Sequence, residues 1–274
     1  MIKYFRGLLV YGSVFFVLAI FILPMVWVIL CSFKPTYELL TVPPTLLPRR
    51  LTLEHYQNLF RQVPFARYYL NSLVVGISTA CIASLAGGMA AYSIYRCRYR
   101  GRGFFYFLFL IAYVFPKTLL LIPLYVLLAK FKILDTPFSI IVAHVTLTAP
   151  FSVWILRTFF TSIPIEIEEA ALIDGASRWQ SLFRVFIPLS APGVAAVGIN
   201  SFLMSWSEYL FASVLVVSEQ WKTLPVGISV FLQQYAIEWG IMMASSVLIA
   251  IPPIIGFALA GRYFVQGLTA GSIK

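Results

Sequence analysis

Charge is scarce in this sequence, and acidic charge scarcer still. Only 11% of the 274 residues are Asp, Glu, Lys or Arg, and 20 basic side chains stand against 10 acidic ones. A soluble domain carries about 25% charged residues because water must wet its surface, so much of this surface faces something else. Cysteine is equally sparse. Cys31, Cys81 and Cys97 are odd in number and scattered, which excludes a disulfide framework and metal-ligand spacing. They read as small apolar packing residues. No Ser, Cys or paired-carboxylate arrangement points to covalent or hydrolytic catalysis. The phosphate-binding pattern G-x-x-x-x-G-K-[ST] is missing too. Its nearest spacing, Gly193 to Gly198, runs on into Ile199 and Asn200 and lacks the lysine and hydroxyl. The net charge of +10 raises nucleic acid as a partner, but no basic stripe is interleaved with exposed aromatics. Nucleic acid is therefore set aside.

What is abundant is apolar length, with 61% of residues hydrophobic. Crossing a bilayer takes roughly 20 apolar residues in a helix, and lipid permits only helices or closed barrels. The runs here are far longer than alternating barrel strands. They predict six spans: Leu8–Ser32, Leu70–Tyr95, Phe104–Leu128, Phe138–Phe160, Ala191–Val217 and Ile241–Tyr263. The first run exceeds a signal peptide's core and has no small-residue cleavage site after it, so it reads as a retained span. The expected fold class is an all-α integral membrane protein. It forms one transmembrane domain over 1–274, with a first span 8–32, an external segment 33–69, a five-span core 70–263 and a tail 264–274.

Orientation follows from the loop Arg96-Cys97-Arg98-Tyr99-Arg100-Gly101-Arg102, whose four arginines and lack of acid place it in the cytoplasm. Both termini are then cytoplasmic. The external segment Lys34 to Arg67 carries five basic residues against this rule; its length and prolines suit a folded segment, where the rule is weaker. In the second span, Gly76, Ala80, Ser84 and Gly88 recur every four residues beside Ala83, Gly87 and Ala91. Such series let helix backbones approach closely in lipid, serving either this chain or a partner.

The cytoplasmic loop 161–190 is unlike the rest. Glu166, Glu168, Glu169 and Asp174 gather after Pro164, which can open a helix, and their charge complements its positive end. Gly175 interrupts, and Ser177 with Gln180 forms a capping box for a second helix. Trp179, Leu182, Phe183 and Phe186 fall on one apolar stripe, and Pro188 and Pro192 end it. Two readings stand on this pattern: a loop folded on its own bundle or the membrane surface, and a docking knob for a cytoplasmic partner.

Glu169-Ala170-Ala171, Gly175 and Val185-Phe186-Ile187-Pro188 closely resemble the EAA signature of permeases in binding-protein-dependent ABC importers. The family ends its signature Ile-x-Leu-Pro, so Val185 and Ile187 are conservative departures. Ser32-Phe33-Lys34, Leu53-Glu54-His55-Tyr56, Asn71-Ser72, Phe159 to Pro164, Trp206-Ser207-Glu208-Tyr209 and Gly267 to Gly271 resemble the carbohydrate branch, specifically the maltose-type second permease. That branch more often has Asn where Ser207 stands.

The resemblance implies the ABC type I importer fold, with the helix Ile165–Ala176 as the coupling helix of a separate ATPase. Coupling residues are then Glu168, Glu169, Ala170, Ala171, Asp174, Gly175, Trp179, Phe183 and Pro188. It also implies a second permease, two cytoplasmic ATPases, an extracytoplasmic solute-binding protein and a sugar-like solute. This chain is expected to be no enzyme and to hold no cofactor or metal, with ATP and Mg on the ATPase. The cytoplasmic (inner) membrane is its expected location.

Polar groups at membrane depth tend to line a pathway or pair with each other. Lys117, Asn200, Trp206, Glu208 and Tyr209 are the pathway candidates, with an ion pair between Lys117 and Glu208 as the structural alternative. His144 reads as a satisfied packing histidine. Trp221 and Trp239, in the external stretch Ser218–Gly240, are candidate contacts for a binding protein or interfacial anchors. Phosphorylated polyols such as sn-glycerol-3-phosphate are the alternative cargo, and an ion-coupled secondary transporter is the rival mechanism.

Overall fold

The computed structural model describes the backbone of residues 2–234 and 238–270, and the side chains of 10–230 and 238–259. The chain divides into two compact units, Met1–Ala66 with Val230–Pro252, and Arg67–Ser229 with Pro253–Lys274.

In the first unit, α1 (Ile2–Ser32) is long and apolar on all sides, and its side chains Phe15, Phe21 and Leu23 stand exposed as lipid-facing residues do. The segment 33–69 then folds through α2 (Thr36–Leu39) and α3 (Glu54–Gln62). Two buried charges organise it. Lys34 is 2% exposed; its ammonium donates to the Thr45 carbonyl and lies 4.4 Å from the Trp27 ring. The Glu38 carboxylate accepts from Thr45 Oγ1 at 2.8 Å and from the Arg49 amide at 3.0 Å. His55 Nε2 donates to the Lys34 carbonyl at 2.7 Å, and its ring fills the space where a Cβ on Gly240 would sit. The segment is folded, as its prolines and length predict.

The second unit opens with most of α4 (Phe65–Arg96). The third expected span is not one helix. α5 (Arg102–Val114) ends at Phe115, Lys117–Leu120 is a short 3-10 turn, and α6 (Leu121–Lys130) leaves at 106° to α5. Proline explains the break: Pro116 offers no amide, and it holds Phe115 in extended backbone (φ −63°, ψ 135°). α7 (Pro137–Thr161) is the central helix, packed against α5 and further helices of the unit. It keeps Pro150 in its interior, where Thr148 and Ser152 hydroxyls bond back to carbonyls one turn earlier.

The loop 161–190 contains α8 (Ile165–Ile173), α9 (Arg178–Ser181), a π-helical turn Leu182–Phe186 and α10 (Ile187–Leu189). The fifth expected span also divides: α11 (Ala191–Trp206) stops at Ser207, and α12 (Leu210–Leu215) follows. At 1.5 Å per residue α11 is about 24 Å long, short of the roughly 30 Å hydrocarbon core; it is long enough to cross only when joined to Arg178–Leu189 before it, at a bend of 83°. α13 (Leu224–Gln234) and α14 (Trp239–Ala270) complete the chain, and α14 continues past Tyr263, where the last span was expected to end. Four helices are long and apolar enough to cross a membrane alone, and two bent helix pairs bring the number to as many as six among the described residues.

The small-residue face of α4 is used within this chain. A Cβ on Gly87 would stand 2.6 Å from Ser152 Cβ on α7, and one on Gly76 would meet the Phe202 ring of α11 at 3.0 Å. Ala83 and Ala91 are fully buried. Gly87→Ala therefore forces α4 and α7 apart and is expected to cost about 1–3 kcal/mol, read as a lowered thermal midpoint in detergent. Ser152→Gly in the same chain should recover part of it, and Gly12→Ala, which meets nothing within 4 Å, should cost nothing.

Candidate functional site

Pro164 precedes α8 and Glu166 and Glu168 occupy its first turn, so the helix starts where the sequence predicts. It ends earlier than Ala176. Gly175 takes φ +86°, while the Gly175 amide reaches the Leu172 carbonyl at 3.1 Å and the Ala176 amide reaches that of Ala171 at 2.9 Å. This is the glycine-terminated helix end that a side chain would strain. Ser177 and Gln180 make the expected capping box: the Gln180 amide donates to Ser177 Oγ at 3.3 Å, and the Ser177 amide to Gln180 Oε1 at 2.7 Å.

The single aromatic stripe does not hold. Leu182 and Phe186 are buried, whereas Trp179 and Phe183 are exposed and stack with centroids 6.1 Å apart. The π turn over Leu182–Phe186 breaks the 3.6-residue period on which the stripe was drawn.

Beneath the loop, Glu168 is 4% exposed and pairs with Arg96 of α4, Nε to Oε2 at 3.1 Å. Tyr92 donates its hydroxyl to the same carboxylate. Arg96 also donates to the Ile163 carbonyl at 2.9 Å and lies 4.8 Å from the Phe186 ring. Phe186 in turn meets Tyr92 and Phe160 edge to face at 5.1 and 5.4 Å, inside a cluster with Leu156, Leu182 and Val197. The outer side of the loop is left open: Glu169, Ala170, Asp174, Gly175 and Pro188 are exposed and Ala171 is half-buried. Ile173 is 85% and Trp179 63% exposed. The loop therefore presents apolar side chains and acids outward from a buried ionic anchor.

The pathway candidates separate. Lys117 sits in the break between α5 and α6, exposed, with Met204 Sδ at 3.9 Å from its ammonium. Asn200 is half-buried and Tyr209 exposed. Trp206 is buried, stacked on Phe202 and edge-on to Tyr69. Glu208 pairs with His144 and not with Lys117. Its Oε2 lies 3.1 Å from His144 Nε2, and its oxygens accept the Phe211 and Ala212 amides at 2.8 and 3.0 Å. It thus starts α12 after the break. His144 is buried, with Ser205 Oγ 2.7 Å from Nδ1, as a packing histidine should be.

On the opposite side of the unit, Asp135 accepts from the Val217 and Ser218 amides at 3.0 and 2.8 Å and from the Ser218 hydroxyl. Asn71 donates to the Gln220 and Lys222 carbonyls, each at 2.9 Å, and Ser72 Oγ accepts the Leu224 amide at 2.8 Å. These bonds fasten the segment that carries Trp221, which packs half-buried against the cluster that includes Val75, Ile140 and Val216. Trp239, in the other unit, is 50% exposed. Residues 235–237 of the stretch Ser218–Gly240, and 271–274 of the tail, lie outside the described residues. Among the described residues no group of three His, Cys, Asp or Glu could hold a metal.

A family model described as the binding-protein-dependent transport system inner membrane component matches residues 83–269, a stretch that includes the anchored loop. This chain belongs to that family. The permease is 38% identical over 264 residues to the inner membrane ABC transporter permease protein YcjP of Escherichia coli (strain K12), covering 96% of this chain and 94% of the relative. It is 34% identical over 257 residues to the diacetylchitobiose uptake system permease protein NgcG of Streptomyces coelicolor (strain ATCC BAA-471 / A3(2) / M145), covering 93% and 85%. It superposes with a TM-score of 0.77 and 25% identity on a crystal structure of a bacterial ABC transporter involved in the import of the acidic polysaccharide alginate, covering 94% of this chain and 98% of that one. The fold is that of ABC importer transmembrane subunits, type I, and the permease is the membrane component and not the ATP-hydrolysing one.

Sequence reasoning placed the permease's loop but missed its anchor. In the sequence Arg96 reads as an orienting charge, and its spacing of four from Tyr92 on one helix face is the signal that points to the anchor. Asp135 was missed as well, and its clasp yields a pH test. The Ser218 hydroxyl and amide hold its carboxyl below the ordinary carboxylate range. The clasp's stabilisation is then complete above the unfolded value near about 3.9 and fades as pH falls through the lower folded value. Asp135 has φ +57°, which Asn also tolerates, so Asp135→Asn removes charge with little backbone strain. Its thermal midpoint should lie below the parent's near neutrality, and the gap should close in acid below the ordinary carboxylate range. A gap constant across that range would refute the clasp.

Proposed function

We propose that this permease is one half of the membrane pathway of an ATP-driven importer of sugar-like solutes, coupled to a separate ATPase through α8. The observation that carries this reading is the loop's two-sidedness: Glu168 buried against α4, with Ile173, Trp179 and Phe183 turned outward. Buried aromatic anchors with a polar rim are what a stable docking surface requires. Glu169 and Asp174 supply that rim. On this reading the loop lies in the cytoplasm with both termini, and ATP and magnesium bind the partner. A second permease completes the pore. An external binding protein delivers solute to the side carrying Trp221, where Asp135, Asn71 and Ser72 hold the surface in shape.

Diacetylchitobiose uptake, named for the Streptomyces relative, and alginate import, named for the structural neighbour, support a saccharide cargo over a phosphorylated polyol. Membership of a binding-protein-dependent family favours ATP over an ion gradient. In transport, nucleotide-driven closure of the ATPases would move α8, and the spans would expose the pathway alternately to each side. Lys117, exposed in the break between α5 and α6, is the charged pathway candidate left without an ion-pair partner among the described residues.

Two measurements test this. Gly175→Val leaves the surrounding space free but forces a branched residue to φ +86°. A cost of about 1–2 kcal/mol at the turn should weaken ATPase binding roughly tenfold. The protein should still reach the membrane, and undiminished co-purification of the ATPase would count against docking through α8. Lys117→Met should alter the uptake kinetics of a saccharide retained by the cognate binding protein while the complex stays assembled. Unchanged kinetics would remove Lys117 from the pathway.

A further inference from the structure

The contacts beneath α8 converge on one turn of α4. Arg96 touches three separated parts of the loop: Glu168 on α8 at 3.1 Å, the Ile163 carbonyl before it at 2.9 Å, and the Phe186 ring beyond it at 4.8 Å. Tyr92, one turn back on the same face, donates to Glu168 and packs edge-on against Phe186. α4 therefore grips both limbs of the loop, the one leading in from α7 and the one leading out toward α11. Both charged side chains are nearly sealed from solvent, with 5% and 6% of their side chains exposed.

Adhesion alone does not require this arrangement. Replacing a buried ion pair by packed apolar residues is often neutral or stabilising, whereas removing one partner leaves an unpaired charge in a dry site. What the pair adds is direction. Beside the ionic contact, Arg96 donates a hydrogen bond to the Ile163 carbonyl and Tyr92 donates one to the Glu168 carboxylate, and these directed bonds fix the angle as well as the distance between two helices, which apolar packing does not. Among the described residues the other ion pairs are His144–Glu208 and Lys222–Glu219, and neither touches the loop.

We propose that Arg96, Glu168 and Tyr92 form a rigid strut that carries displacement of α8 into α4, making Arg96 a positioning residue for coupling. This rests on the reading of α8 as the point where the ATPase's force enters. The strut turns a push on an exposed helix into movement of the span whose small-residue face packs on α7 and α11. Lysine is a poor substitute, since one flexible ammonium lacks the fork that reaches Glu168 and Ile163 together.

The test uses the full complex with cysteine-free partner permease and ATPases in proteoliposomes. Cys31→Ala and Cys81→Ala leave native Cys97, just beyond α4, to carry one spin label, and Ile167→Cys on α8 carries the other. In this parent the distance between labels should be the same without nucleotide and with Mg·ATP plus vanadate. In Arg96→Met the two distributions should separate by several ångström. ATP turnover without solute should rise by roughly 2- to 30-fold, the range that coupling substitutions give. Arg96→Lys should be intermediate. Tyr92→Phe, which removes a single hydroxyl, should shift both readouts in the same direction and guards against a misfolded Arg96 variant. Nucleotide-independent distances and parental turnover in Arg96→Met, with the ATPase still bound, would overturn the strut. So would a parent distance that changes with nucleotide. Failure of the ATPase to co-purify with the parent would instead overturn the reading of α8 on which the strut rests.

Discussion

Close approach of α4 to α7 and α11 is the contact on which the second unit depends. In lipid no hydrophobic force drives helices together, so association rests on packing and on the few polar contacts available. Gly87 lets α4 lie almost backbone to backbone on α7, Gly76 seats the Phe202 ring of α11, and Ala83 and Ala91 are fully buried beside them. The same helix then ends in Tyr92 and Arg96, directly under α8. A long helix seated on its neighbours along one face, with a charged terminus gripping the loop, is suited to carry force. The small-residue face and the ionic anchor belong to one device.

Polar groups follow a second rule, local satisfaction. Glu208 is held by His144 and by the first amides of α12, which lets the chain break and restart at membrane depth without stranding backbone groups. Pro116 makes the other break, and there the freed backbone is taken up by a 3-10 turn. Both breaks are stable interruptions, one organised by a carboxylate and one by an imino acid. On the other side of the unit, Asp135, Asn71 and Ser72 stitch down a loop that would otherwise have only its own short turn.

Much of this was legible in the residues. Long apolar runs predict the long helices, and Ser177 with Gln180 predicts the cap that the structure contains. The glycine and alanine series on α4 predicts a packing face, though not which helices it meets. What could not be read depends on tertiary neighbours. Pro116 sits inside an apolar run, and prolines in spans are often absorbed as kinks, so a bend of 106° had no local signature. The stop at Ser207 involves neither Gly nor Pro. The π turn at Leu182–Phe186 moves Trp179 and Phe183 outward, which a strict 3.6-residue period cannot foresee. Glu168 finding Arg96 is a long-range pairing that composition does not encode.

The stacked Trp179 and Phe183 and the bare Ile173 have a consequence for cellular quality control. Apolar side chains held in water are the feature by which chaperones and proteases distinguish incomplete proteins from finished ones. On the proposed docking of α8 to an ATPase, a copy of this chain made in excess would display that feature permanently, however well its helices were packed. Its lifetime would then be set by the supply of whatever covers the patch, so surplus subunits would be cleared and matched ones kept.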